Sequence, residues 1–213
     1  MSLSVQLQDV GKKYNREWVF KNVSVEFNSG EKIAILGSNG SGKSTLLQLL
    51  SGYVSPTTGT FSLFENGIRI PSEKVYSRVA IASPYLELIE DFTLWELFDH
   101  HAVFKPFVSE FSVEKFIEET RLNVNKNKFI KHFSSGMKQR VKLALALYSD
   151  VPLLLLDEPV SNLDQHGIEW YRKLILSQNK NRIIVVASNK LSEEYDFCNT
   201  LMNIEDFKKQ IRF

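Results

Sequence analysis

The chain has 213 residues, 43% of them apolar and 24% charged, with a formal net charge of +1. That length supports one sizeable core, and that charge gives no electrostatic reason to expect nucleic acid or acidic lipid as a partner. A lone cysteine, Cys198, excludes an internal disulfide framework and fits a reducing compartment, and no apolar run approaches the ~18 residues of a membrane span.

Residues 3–9 alternate apolar and polar, the pattern of a half-buried strand. Residues 11–17 are polar and predict a turn. Phe20–Phe27 alternates again, and Asn28-Ser29-Gly30-Glu31 turns the chain. These two strands predict a small antiparallel sheet leaning on a parallel core. Lys32–Leu36 is a short apolar strand, and Leu46–Leu50 is a helix-forming run. Between them, Gly37-Ser38-Asn39-Gly40-Ser41-Gly42-Lys43-Ser44-Thr45 meets G-x-x-x-x-G-K-[ST] without a mismatch, in the strand–loop–helix setting of a phosphate-binding loop. The glycines let backbone N–H groups approach phosphate oxygens, and the helix opening near Ser44 adds the positive end of its dipole. Lys43 can set its charge on the terminal phosphates, and the Ser44 hydroxyl can ligate a Mg²⁺ that bridges them. The motif predicts binding of a nucleoside triphosphate and by itself leaves GTPase, kinase and helicase open.

Gly52 and Pro56 end the loop helix. Thr60–Phe64 and Gly67–Ile70 form a strand pair around Glu65-Asn66-Gly67, and Val79–Ala82 is a further apolar strand. From Pro84 to Asp150 helical spacing replaces alternation, notably in Leu94–Phe104 and Val113–Thr120, which predicts an inserted helical lobe. The basic residues Lys126, Lys128 and Lys131 fit a solvated loop. Ser134–Arg140 leads into a helix over Val141–Tyr148. The fully apolar run Val151–Leu156 predicts a strand buried on both faces and ends in Asp157-Glu158-Pro159. Ser161-Asn162-Leu163-Asp164 precedes an amphipathic helix through Ile168–Leu176. Arg182–Ala187 is another buried strand, closed by Ser188-Asn189, and a short strand lies near Thr200–Ile204.

An apolar strand ending in Asp is the partner that a phosphate-binding loop requires. Ligands of open α/β sheets sit at the carboxyl ends of strands, so Asp157 is expected to reach a Mg²⁺ beside Ser44. Glu158 would face the terminal phosphate, placed to polarise an attacking water. That residue implies hydrolysis, which a pure nucleotide sensor does not need.

In this order and spacing, Gly37–Thr45, Ser134-Ser135-Gly136-Met137, Leu153–Glu158 and Ser161–Asp164 resemble the ATP-binding subunit of ABC transporters, over essentially the whole chain. The resemblance implies an α/β P-loop NTPase core, mostly parallel sheet flanked by helices, with an N-terminal antiparallel β subdomain and an inserted helical subdomain. The chain then reads as one domain, with residues 1–83 and 151–213 as core and residues 84–150 as the helical subdomain. Phe133–Arg140 looks like the family signature L-S-G-G-Q-x-Q-R: Ser134 and Gly136 match, while Phe133, Ser135 and Met137 depart from it. The resemblance implies that this helix start serves an ATP held on another subunit's loop, hence a head-to-tail dimer, homo- or heteromeric, around two ATP. Tyr14 lies where the family stacks an aromatic ring on adenine, with Trp18 as the alternative, and Asp164 matches the loop that crosses the dimer interface.

Two family positions are not met. The family's Gln after the strand at Val79–Ala82 corresponds to Pro84, and no Gln lies between Gln48 and Gln139. The family's His after the strand at Ile183–Ala187 corresponds to Asn189, which keeps a donor but cannot carry charge. Ser83 is a partial substitute for the Gln. The expectation is an ATPase with Lys43, Glu158 and Asn189 at the reacting end, slow in turnover, using ATP and Mg²⁺. It would be cytoplasmic, held at the inner face of the membrane by integral membrane transporter subunits that dock on the lobe around residues 84–110. The other reading kept open is a non-transport ABC protein acting as an ATP-gated switch. A small-molecule kinase fails on the signature helix and the Asp157-Glu158 pair.

Overall fold

The computed structural model describes residues 2–108 and 111–208. The chain opens with a long antiparallel hairpin, β1 (Leu3–Tyr14) and β2 (Glu17–Asn28), paired from Ser4 opposite Asn28 to Tyr14 opposite Glu17 with register shifts between Leu7 and Lys13. Residues 11–17 are therefore mostly strand, a correction to the polar turn expected from sequence. Only Asn15 and Arg16 turn the chain, with Asn15 at φ 53°. The run is polar because this end of the hairpin stands in solvent, leaving Lys13 and Tyr14 exposed.

β3 (Lys32–Leu36) and α1 (Lys43–Leu50) flank the glycine-rich loop as expected. β4 (Thr58–Glu65) pairs with β1, and β5 (Ile68–Arg69) closes a tight hairpin across Asn66 and Gly67. Both turn residues have positive φ, 51° and 78°, as a type I′ turn demands. The antiparallel sheet runs β2-β1-β4-β5.

A 3₁₀ segment, Ser72–Arg78, leads into β6 (Val79–Ala82). The helical lobe follows, with α2 (Leu94–Phe104), α3 (Val113–Thr120) and α4 (Ser135–Tyr148). Then come β7 (Leu153–Asp157), α5 (Gln165–Leu176), β8 (Ile183–Ser188), the single turn α6 (Ser192–Tyr195) and β9 (Thr200–Asn203). The second sheet is ordered β6-β7-β8-β3-β9, and every pairing in it is parallel. The carboxyl ends of β3, β6, β7 and β8 therefore share one edge, where the sequence places the loop, Ser83, Asp157-Glu158 and Ser188-Asn189.

Alternate side chains of β7 and β8 feed two cores. Leu153, Leu155, Ile183 and Val185 join α1 and the inner face of the antiparallel sheet. Leu154, Leu156, Ile184 and Val186 pack against α4, α5 and the lobe, around the fully buried Phe116 and Tyr171. The lobe's aromatics divide. Phe98 stacks on Phe107 with ring centroids 4.3 Å apart, whereas Trp95 and Phe104 are exposed. The basic loop is locally neutralised, Lys126 by Glu114 at 2.8 Å and Lys131 by Asp91 at 3.2 Å.

Candidate nucleotide site

Gly42 is the N-cap of α1, at φ 108°. A side chain there is excluded twice, by the left-handed backbone and because a Cβ would lie 2.5 Å from Val19 Cγ1. The loop is closed around Lys43, which is buried and donates to the carbonyls of Gly37 at 3.0 Å and Ser38 at 3.1 Å. Its ammonium also stands 3.9 Å from Glu158 Oε1. On the outer turn, Ser38 donates both its backbone N–H and its hydroxyl to Glu205, and Lys208 donates to the Gly40 carbonyl. These hydrogen bonds hold the Glu205 carboxyl below the usual range.

Asp157 closes β7 at the same edge and is buried. Its Oδ2 accepts from the Ser83 hydroxyl at 3.0 Å, while Oδ1 is buried without a partner. Burial raises its pKa, and the Ser44 and Ser83 hydroxyls and Lys43 pull it back. A buried carboxylate oxygen with no donor, beside a serine hydroxyl, is the arrangement that Mg²⁺ satisfies. Among the described residues no three His, Cys, Asp or Glu side chains cluster as metal ligands. The donor set thus fits a Mg²⁺ that arrives with phosphates and keeps most of its other ligands from them and from water.

Glu158 has φ 43°, a left-handed conformation that costs a non-glycine residue roughly 1–3 kcal/mol. Its backbone N–H donates to Ala187 at the end of β8 at 2.9 Å, which holds it there. The turn lifts the side chain off the strand end and into the loop cavity. That cavity, about 250 Å³, is lined by Tyr14, Val19, residues 39–45, Tyr85 and Glu158. The structure thus brings together Tyr14, Asn39, Gly40, Ser41, Gly42, Lys43, Ser44, Thr45 and Glu158. Trp18, the alternative to Tyr14, instead lies under the ammonium groups of Lys13 and Lys21.

Asn189 is exposed beyond β8 and is not among the residues that line this cavity. Pro84 offers only its carbonyl, which accepts from Lys142 at 2.9 Å.

The signature residues stand elsewhere. Ser134 is the N-cap of α4 and accepts from the Met137 N–H at 3.3 Å, and Ser134 and Ser135 are exposed. Gly136 packs against the turn after β7, where a Cβ would meet the Asn162 carbonyl oxygen at 2.9 Å. Asp164 caps α5 through Gly167 at 2.8 Å and pairs with Arg140 at 2.7 Å, and both hold its pKa down. Arg121, Ser134, Gly136, Arg140, Asn162 and Asp164 line a second cavity of about 420 Å³. The two cavities share no lining residue.

Three groups at or near the site went unnoticed in the sequence. Tyr85 is one and Arg121 another. The third is Glu194, buried behind β8, whose Oε1 accepts from the Val160 N–H at 3.4 Å while Oε2 has no partner. Tyr85 carried a signal, being the residue after the Gln-less Pro84. Glu194 carried none, because its neighbours Glu193 and Asp196 make the stretch read as surface.

A third cavity, also about 250 Å³, separates the core from the lobe and is lined by Leu86, Leu88, Ile89, Leu97, His100, Lys142 and their neighbours. His101 lies in it, with Nε2 2.8 Å from Ser149 Oγ, and burial pushes its pKa down to about 4.

The family model described as ABC transporter matches residues 20–161. An uncharacterised ABC transporter ATP-binding protein of Bacillus subtilis, YcbN, is 31% identical over 97% of this chain and 68% of its own length. The bacitracin transport ATP-binding protein BcrA of Enterococcus faecalis is 30% identical over 91% of this chain and 63% of its own length. The chain therefore spans about two thirds of these two relatives. A solved ATP-binding subunit of an ABC transporter superposes with a TM-score of 0.81 at 28% identity, covering 93% of this chain and 85% of that one. A loop built for a triphosphate, an acidic strand end facing it and these matches lead to one conclusion: the chain belongs to the ABC transporter family, as an ATP-binding ATPase subunit.

Proposed function

We propose that the chain works as one half of an ATP-sandwich dimer that drives a membrane transporter, with ATP held by the loop cavity of one subunit and covered by the α4 start of the other. The observation that carries this reading is the separation of the two anion-binding surfaces on one chain. No residue of the α4 start is among those that line the loop cavity. The exposed Ser134 and the start of a 14-residue helix line a cavity that no residue of the phosphate loop reaches. A second copy, or a paralogous subunit, supplies what each lacks.

In this reading Tyr14 stacks on the base, the N–H groups of residues 39–45 bind the phosphates, and Lys43 neutralises their terminal charge. Ser44 and Asp157 hold Mg²⁺, which when bound withdraws charge from the β- and γ-phosphates. Glu158 orients the attacking water and accepts its proton. Asn189 is left too far into solvent to serve without a closing movement. The slow turnover expected from Pro84 and Asn189 therefore stands as part of the proposal. The groove beside Leu86, Ile89 and Leu97 docks a helix from a membrane partner, as its apolar lining and its place between core and lobe suit. The transported substrate is chosen by that partner.

The test is the variant Glu158→Gln at saturating Mg-ATP. It should lose hydrolysis by more than a hundredfold and elute as a dimer in size-exclusion chromatography, returning to monomer without nucleotide. A protein that binds ATP yet stays monomeric would sink the sandwich.

A further inference from the structure

We propose that Tyr85 is a catalytic residue, its phenolic hydroxyl positioning the attacking water at the terminal phosphate. This rests on the assignment of the loop cavity as the hydrolytic site. Two polar side chains that the family places at the reacting end are missing from that cavity. Pro84 has none, and Asn189 does not line the cavity. Lys43 is tied to the Gly37 and Ser38 carbonyls, and Ser44 faces Asp157. Tyr85 lines the same cavity as Glu158 and reaches it from the β6 end, whereas Asn39, Ser41 and Thr45 belong to the phosphate loop itself.

Its main chain is fixed on both sides. The Tyr85 N–H donates to Ser83 Oγ at 3.3 Å, and the same hydroxyl donates to Asp157 Oδ2 at 3.0 Å. The Leu86 N–H donates to the Ser83 carbonyl at 3.2 Å, and Lys142 holds the Pro84 carbonyl at 2.9 Å. One serine hydroxyl thus ties the backbone of Tyr85 to the Mg²⁺-side carboxylate. The ring is 73% exposed, and among the described residues its hydroxyl has no hydrogen-bond partner. A large aromatic left uncovered at the mouth of a phosphate site, on an anchored backbone, has a free group to present to what binds there.

A phenol suits the task because its hydroxyl both donates and accepts a hydrogen bond. It can accept a hydrogen bond from the water and donate one to a γ-phosphate oxygen. In the step, the water oxygen bonds to the γ-phosphorus and the bond from that phosphorus to the bridging oxygen breaks. The electron pair leaves with ADP, and the water proton passes to the Glu158 carboxylate. Tyr85 gains and loses no proton. It fixes the angle of attack with one hydrogen bond on each reactant, the kind of help that an amide side chain at position 84 would give and proline cannot.

The experiment compares Tyr85→Phe and Tyr85→Ala with the parent chain. Single-turnover hydrolysis of radiolabelled ATP gives the rate, fluorescence titration gives ATP affinity in EDTA, and ADP with Mg²⁺ and aluminium fluoride gives affinity for a transition-state mimic. Both variants should slow hydrolysis about 10- to 100-fold. ATP affinity should stay within twofold, and affinity for the aluminium fluoride complex should fall by the same factor as the rate. Unchanged melting temperatures verify folding, as suits an exposed side chain. Parent-like rates in Tyr85→Phe overturn the proposal, whether or not Tyr85→Ala is slow, because the hydroxyl would then be idle. A loss of ATP affinity that matches the loss of rate overturns it too, since Tyr85 would then only bind. Full activity of Glu158→Gln would instead refute the hydrolytic reading of the cavity, and with it the proposal.

Discussion

Glu194 is a carboxyl inside the core. It is buried behind β8, one oxygen lacks a donor, and its pKa is raised to about 7, chiefly by burial, with Glu158 and Asp157 adding repulsion. The native state therefore holds a proton that the unfolded chain releases near the ordinary Glu value of 4.5. The stability this represents is complete below pH 4.5 and is lost as pH rises through about 7. Glu194→Gln keeps an acceptor for the Val160 N–H and cannot ionise. It should match the parent in unfolding free energy at pH 4.5 and exceed it at pH 8, by an amount on the order of 2 kcal/mol. A parallel pH dependence in both proteins would show that Glu194 does not titrate across this range. Ser83 gives a second prediction. Its hydroxyl holds Asp157 Oδ2 and leaves Oδ1 for the metal. Ser83→Ala should raise the Mg²⁺ concentration for half-maximal hydrolysis about 10-fold or more. Titrating Mg²⁺ at fixed ATP checks this, while ATP affinity in EDTA stays unchanged.

At the scale of elements, α2 and α3 begin where the sequence said they would because their caps are local chemistry. Thr93 and Glu96 form a reciprocal capping box, and Ser112 accepts from Lys115. Thr93→Ala should therefore lower stability by about 1 kcal/mol, read as a drop in the urea midpoint with an unchanged slope. The β1–β2 hairpin was misjudged for the opposite reason. Residues 11–14 and 17 belong to strands by pairing across the hairpin, and pairing leaves no mark on a polar, solvent-facing stretch. The nucleotide loop, the Asp157-Glu158 pair and the signature helix were legible because each is a contiguous motif with a required chemistry. Tyr85 and Glu194 were not, since their roles come from which strand ends lie side by side. The aromatics of the lobe show the same limit. Sequence does not separate Phe98 from Trp95, yet Phe98 stacks on Phe107 against the core while Trp95 is exposed.

For the whole molecule, the parallel sheet is a wall shared by two cores. Leu154 faces the lobe and Leu155 faces α1 and the antiparallel sheet, and both are fully buried. Leu154→Ala and Leu155→Ala should each cost about 2–5 kcal/mol. Each should shift one cooperative transition and leave neither core standing alone. Trp170 lies in the lobe-side core and Trp18 on the hairpin, so fluorescence follows both halves. Two separated midpoints in either variant would mean that the cores unfold independently. A shared wall also explains why a domain with an inserted lobe can position its phosphate loop rigidly against groups from four different strands.

The strand order has a further consequence, for how the chain is made. β3, which carries the phosphate loop, lies between β8 and β9 and pairs with no earlier strand. The outer turn of the loop is clamped by Glu205, 167 positions downstream of Ser38. On a ribosome the apolar strand and its glycine-rich loop emerge early, then wait unpaired through most of synthesis until their neighbours appear. At elongation rates of roughly 5–20 residues per second, that wait lasts many seconds. The nucleotide pocket thus closes only after strands translated long behind its loop have appeared, and ATP can reward folding only then.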